Sequence, residues 1–82
     1  MIPKIKSIVV QDCYKLLVTF DDDVTVVYDV LEDINTIPAF KKLESETGLF
    51  DSFSLDQSRT VVSWTDEIDL PSDTIREYGT VV

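Results

Sequence analysis

The chain has 82 residues, 44% of them hydrophobic and 28% charged, a mixture that predicts one folded domain over residues 1–82 with a small core. Seven Lys and Arg against 16 Asp and Glu give a net charge of −9, which disfavours direct binding to nucleic acid or to an anionic membrane. The chain has no histidine and one cysteine, Cys13, which excludes His-based triads, the usual zinc sites and an internal disulfide, and favours the reducing cytoplasm.

Three segments in the first third of the chain predict an antiparallel meander. β-branched or alternating residues run from Lys4 to Asp12, from Lys15 to Phe20 and from Val24 to Asp29. The short polar turns Asp12–Tyr14 and Asp21–Asp23 join them. Because aspartate tolerates the left-handed backbone conformation better than most residues, the second turn can close without glycine.

The apolar spacing then changes from that of a strand to that of a helix. Ile37, Phe40 and Leu43 recur at i, i+3 and i+6, which predicts a helix of roughly two to three turns. Thr36 is the predicted N-cap, and Gly48 is predicted to follow the helix end.

The remainder predicts two further strands and a short helix. The strands are Leu49–Leu55 and Thr60–Trp64, and Asp66–Glu67 is predicted as a turn. A terminal helical turn over Pro71–Tyr78 is closed by Gly79. The expected fold is therefore α+β: an antiparallel sheet and its helices packed in two layers.

The predicted sheet has apolar residues on both faces. Leu17 and Val27 lie opposite the predicted core residues, whereas a fully solvated face should alternate more cleanly. Either the C-terminal section of the chain or a second subunit is expected to cover this face, so a homodimer is one of the two interpretations.

No catalytic constellation is visible, and the chain is not predicted to be an enzyme or to hold a cofactor. Cys13 has no histidine to activate it and lies between Asp12 and Tyr14, where negative charge disfavours the thiolate. Two isolated glycines cannot form a phosphate loop. The acidic clusters do not match the spacing of a calcium loop, so no metal site is predicted.

Carboxylates at predicted turns, together with one tryptophan, are the candidate partner-binding residues. Acidic turns are usually solvated, and Trp64 also fits a core position, so each has a structural interpretation as well. The candidates for binding a partner are Asp21, Asp22, Asp23, Trp64, Asp66, Glu67 and Asp69.

Several stretches follow one another in a characteristic order: Pro3-x-Ile5-x-x-Ile8-Val9-Val10, Tyr14-x-Leu16-Leu17-Val18-Thr19-Phe20 with its acidic turn, Leu49-Phe50-x-x-Phe53, Trp64, Ile68-Asp69-Leu70 and Ser72-Asp73-Thr74-Ile75. In this order they resemble a bacterial family known only as domain of unknown function 2442. The resemblance covers nearly the whole chain and is most specific from Trp64 to Ile75. Asp23 and Glu67 stand where family members usually carry glycine.

The resemblance implies a small α+β domain that occurs alone or joined to a helix-turn-helix module, which this chain is too short to carry. Standalone members are often encoded beside another small protein, an arrangement typical of toxin–antitoxin pairs. The resemblance implies no activity, cofactor or catalytic residue. The sequence therefore favours a cytoplasmic protein-interaction module, as the antitoxin-like partner of a small basic protein. A small-molecule-sensing regulatory domain is the alternative.

Overall fold

The computed structural model describes residues 2–82 and has an α+β fold with two antiparallel sheets and three α-helices. The first sheet has the order β1-β2-β3-β7 and the second the order β4-β5-β6. The strands are β1 Ile5–Gln11, β2 Lys15–Phe20, β3 Thr25–Asp29, β4 Ser54–Leu55, β5 Val61–Thr65, β6 Ile68–Pro71 and β7 Thr80–Val81. The helices are α1 Val30–Thr36, α2 Lys42–Ser45 and α3 Ser72–Tyr78, with 3-10 turns at Pro38–Lys41 and Phe50–Ser52.

The predicted meander is confirmed as β1, β2 and β3. The loop between β2 and β3 has four residues, Asp21 to Val24, and the amide of Phe20 donates to the carbonyl of Val24 at 2.9 Å. Asp23 closes this loop at φ 67°, in the left-handed region. An aspartate therefore occupies the position that glycine usually takes in such a hairpin, as its residue type predicts.

One apolar core lies between the first sheet and the remaining elements. The inward residues of β2 and β3 alternate with outward ones, so a single face of the sheet is buried. Helices α1 and α3 and the second sheet contribute residues to the same cluster. Its members include Leu16, Val18, Phe20, Val26, Val30, Ile34, Val62, Ile68, Leu70 and Ile75.

The helical region differs from the prediction. A helix that the sequence did not predict, α1, follows β3 directly, and the carboxylate of Asp29 caps it by accepting from the Leu31 amide at 3.1 Å. Thr36 is the last residue of α1 and not an N-cap, so that prediction is wrong. Phe40 and Leu43 are buried as predicted. Ile37 is exposed, because as the residue before Pro38 it is extended and interrupts the helix.

The predicted single sheet is instead two sheets, and the later strand boundaries change with it. Leu49–Leu55 is strand only at its last two residues, because Phe50 turns inward within a 3-10 turn. Ile68–Pro71 is an additional strand that pairs with β5 across the predicted Asp66–Glu67 turn. The terminal helix is confirmed, although Gly79 follows it in an extended conformation.

The C-terminal section extends the first sheet at its edge and does not lie on its outward face. Thr80 pairs with Val27, and Val81 pairs with Val26. Leu17 and Val27 therefore remain partly exposed on this outward face, and Val9 beside them is 53% exposed. Among residues 2–82 no helix is long and apolar enough to cross a membrane.

Gly79 permits the chain to pass from α3 into β7 against the sheet. A Cβ at this position would lie 2.6 Å from the Ile75 carbonyl oxygen and 3.1 Å from Cγ2 of Val26. We expect Gly79→Ala to lower the free energy of unfolding by about 1–3 kcal/mol, because a backbone oxygen cannot yield as a side chain can. Denaturant unfolding measures this loss, with Thr80→Ala as a control expected within about 0.5 kcal/mol of wild type. Equal stability of the two variants would contradict the close contact.

Candidate functional site

Each carboxylate of Asp21–Asp23, here called the aspartate turn, is paired with its own basic side chain. The ion pairs are Asp21–Arg59 at 2.8 Å, Asp22–Arg76 at 3.0 Å and Asp23–Lys6 at 3.0 Å. Three of the seven basic residues of the chain are thus gathered around one turn. The aspartate turn is exposed, as expected, but its charge is largely balanced within the molecule.

Arg59 joins the aspartate turn to both sheets. It lies in the loop between β4 and β5 at φ 61°, and its guanidinium makes two hydrogen bonds to the Asp21 carboxylate, at 2.9 and 2.8 Å. Its carbonyl accepts from the Ile5 amide at 2.8 Å. Because both ends of Arg59 contact the first sheet, the loop of the second sheet is held against the start of β1.

Arg76 connects the aspartate turn to α3. Its guanidinium donates to both oxygens of Asp22, at 3.2 and 3.0 Å, and lies 5.0 Å from the centre of the Phe20 ring. The hydrogen bond from Arg76 holds the pKa of the Asp22 carboxyl below its ordinary value, and the Val24 amide acts in the same direction. The aspartate turn thus fastens three separate elements of the chain.

Trp64 packs in the core, which agrees with its structural interpretation, and its role in binding a partner stays a prediction. It is 9% exposed, and its indole N–H donates to the Phe50 carbonyl at 2.9 Å. The two rings stack with centroids 5.9 Å apart, and Phe40 packs edge-on at 6.5 Å. With its polar atom satisfied and its ring enclosed, Trp64 stabilises the irregular segment between the sheets.

Asp66, Glu67 and Asp69 are exposed on the second sheet and its turn. The Glu67 carboxylate lies 4.0 Å from Nζ of Lys42, whereas Asp66 and Asp69 make no ion pair with the described residues. Asp66 and Asp69 line a shallow cleft together with Trp64, and the aspartate turn does not line it. The two predicted acidic clusters therefore do not line one cleft.

A groove between α1 and α3 brings together functional groups that sequence reasoning did not select. Its volume is about 290 Å³, and every polar side chain in it is a carboxylate or a hydroxyl. The lining residues are Tyr28, Asp29, Glu32, Asp33, Thr36, Thr74 and Tyr78. No Lys or Arg among residues 2–82 lines this groove, which is here called the acidic groove.

The floor and rim of the acidic groove are set by two tyrosines. The Tyr28 hydroxyl donates to Oδ2 of Asp33 at 2.5 Å. Burial raises the pKa of Tyr28, and the Asp33 carboxylate adds to this, so Tyr28 stays protonated and orients that carboxylate. Tyr78, the last residue of α3, is 73% exposed and presents its ring at the rim.

The first turn of α1 supplies the carboxylates of the acidic groove. Glu32 and Asp33 lie in that turn, directly after the N-cap Asp29. Acidic residues favour the start of a helix because they interact with its unsatisfied amides. The spacing Asp29-x-x-Glu32 is the signal that could have predicted both α1 and this cluster from the sequence.

Carboxylates beside an aromatic ring are a combination that can bind a cationic group. A guanidinium or ammonium group can donate charge-assisted hydrogen bonds to the carboxylates of Glu32 and Asp33 while it contacts the Tyr78 ring. The described residues contain no group of three or more Asp, Glu or Cys arranged to hold a metal ion.

Comparison of the chain with protein-family models, with curated proteins and with solved structures gives no match. The resemblance to domain of unknown function 2442 therefore stays an expectation.

The Asp22–Arg76 pair makes the stability of the fold depend on pH in acid. Folding lowers the pKa of Asp22, so the stabilisation that its charge provides is fully present above the pKa of the unfolded state, about 4. This stabilisation is lost as the pH falls through the lower pKa of the folded state. We expect Asp22→Asn to reduce the thermal midpoint at neutral pH, and the gap from wild type to close below about pH 4. Thermal unfolding followed by circular dichroism across this range measures both effects.

Asp66→Asn is the matched control for this prediction. It removes the same charge from a turn where the carboxylate makes no ion pair with the described residues. Its midpoint at neutral pH should stay close to that of wild type. A gap for Asp22→Asn that persists unchanged into strong acid would show that the ion pair is not its cause.

Proposed function

We propose that this protein is an interaction module that binds a basic segment of another protein through the acidic groove. The observation that carries the proposal is the combination of three carboxylates and an exposed tyrosine ring in one groove without a basic residue. A lysine or arginine side chain fits the volume, the charge and the aromatic rim of such a groove.

The distribution of charge supports a basic partner. Four of the 16 carboxylates lie in ion pairs, which leaves twelve without one among residues 2–82. Four of the seven basic residues are in the same pairs, so three remain. A surface with this excess raises the association rate of a cationic partner, while close contacts in the groove govern dissociation.

The partner in this proposal is a small basic protein, and an antitoxin-like role is the form that the family resemblance favours. In that role the acidic chain binds and neutralises its partner. The exposed thiol of Cys13 is compatible with a reducing compartment, so we place this interaction in the cytoplasm. The aspartate turn contributes less to this interaction than the sequence predicts, because its carboxylates already have partners.

Small-molecule sensing, the alternative, has less support from the clefts. Ligand pockets are mostly apolar and enclose most of the ligand surface. A wide cleft of about 650 Å³ is lined by exposed carboxylates that include Asp12, Glu44 and Asp51, and it gives a small molecule little apolar contact. A mostly apolar cleft of about 370 Å³ beside Phe20 suits a small molecule better. The acidic groove needs to hold only one side chain.

Binding of a labelled peptide with one arginine among glycines and serines tests the proposal by fluorescence anisotropy. We expect Glu32→Gln to weaken binding by about three- to tenfold, because one charge-assisted hydrogen bond is lost. Tyr78→Ala should weaken it by about two- to fivefold through loss of the ring contact. Both effects should appear at low and at moderate salt, since they arise from close contact.

Glu44→Gln is the matched control, because Glu44 is an exposed glutamate on α2 that does not line the acidic groove. It should change binding only slightly, and only at low salt. Equal weakening by the two glutamine variants would mean that overall charge, and not the groove, binds the peptide. A wild-type protein that does not distinguish the arginine peptide from its glutamine counterpart would refute the proposed function.

A further inference from the structure

The outward face of the first sheet, here called the open face, is covered by no other element of residues 2–82. The helices and the second sheet contribute their buried residues to the core on the inward side. Leu17 and Val27 are direct cross-strand partners at the centre of the open face, and Val9 extends this row onto β1. Val9 is 53% exposed. An apolar row of this kind across three adjacent strands is a surface that another protein can cover.

The open face is electrically balanced, unlike the rest of the molecule. The charged residues at the outward positions of β1, β2 and β3 are Lys15 and Asp29, which are cross-strand neighbours at one end of the face. At the other end Thr19 and Thr25 share a hydroxyl hydrogen bond of 3.1 Å. The chain has a net charge of −9, but another acidic molecule can approach this face without repulsion between opposed carboxylates.

We propose that the open face binds a second copy of this chain, forming a two-fold symmetric dimer with two packed sheets. A two-fold axis parallel to the strands and midway between β2 and β3 would lay β2 of one copy over β3 of the other. The register of these strands then places Lys15 opposite Asp29 of the second copy, and Leu17 opposite Val27. Each contact occurs twice, as an isologous interface requires.

The proposed packing satisfies the ordinary constraints on stacked sheets. Faces of two sheets pack about 10 Å apart with side chains interdigitated, and small or β-branched residues such as threonine and valine suit that spacing. One oxygen of Asp29 caps α1, which leaves its other oxygen for the lysine of the second copy. Lys15 makes no ion pair with the described residues of its own chain. A basic partner, by contrast, would meet no excess of acid on this face.

The dimer goes beyond the interaction proposed for the acidic groove, and Asp29 is the residue that the two surfaces share. Sedimentation equilibrium and light scattering at micromolar concentration should give twice the 9.3 kDa mass of the chain. Leu17→Lys should raise the dimer dissociation constant at least about a hundredfold, because each copy would bury an unpaired charge in the interface. Ser63→Lys makes the same charge change on the second sheet and should leave the dimer intact.

Lys15→Glu gives an independent test at an exposed position that needs no repacking. It would set a glutamate against Asp29 of the second copy. We therefore expect the dimer dissociation constant to rise about three- to tenfold at low salt and by a smaller factor at high salt. Circular dichroism confirms that each variant is folded. A wild-type chain that stays monomeric to about 100 µM, dissociation by Ser63→Lys, or no effect of either open-face variant would each overturn the proposal.

Discussion

The buried face of β2 and β3 is the surface on which the rest of the structure is assembled. Residues of these strands alternate between the core and the outside, so a single register decides which side chains are enclosed. A slip of one residue would expose Phe20 and Tyr28 and bury Thr19 and Thr25. The helices and the second sheet bury their apolar residues against this one face. Because these elements all pack on the inward face, the opposite face of the sheet is left open.

Charge divides the surface into parts with different roles. At the aspartate turn, basic side chains from β1, α3 and the loop after β4 balance the carboxylates, and the turn holds distant segments together. Exposed ion pairs contribute little individually, so their value here lies in fixing how the elements meet. In the acidic groove no such balance exists. The sequence shows acids in both places, but only the fold shows which of them already have partners.

The meander was predictable because its signal is local: alternation along each strand and turn residues between strands. The start of α1 was also encoded locally, but its two turns bury only Val30 and Ile34, too few for the apolar spacing to stand out. The alternating pattern around Trp64 favoured the core, and its burial and its hydrogen bond to Phe50 agree with that assignment. The acidic groove was not predictable, because it joins residues around α1 to Tyr78, far along the chain, through tertiary packing.

Asp29 links the fold to both of the proposed interactions. Its backbone ends β3, its carboxylate begins α1, and its position places it both at the edge of the acidic groove and at the end of the open face. The groove has an excess of negative charge, whereas the open face has one lysine for its one aspartate. A cationic partner is therefore attracted to the groove, and a like-charged copy is repelled least at the open face. The net charge that keeps copies apart elsewhere thus assigns the two proposed partners to different surfaces.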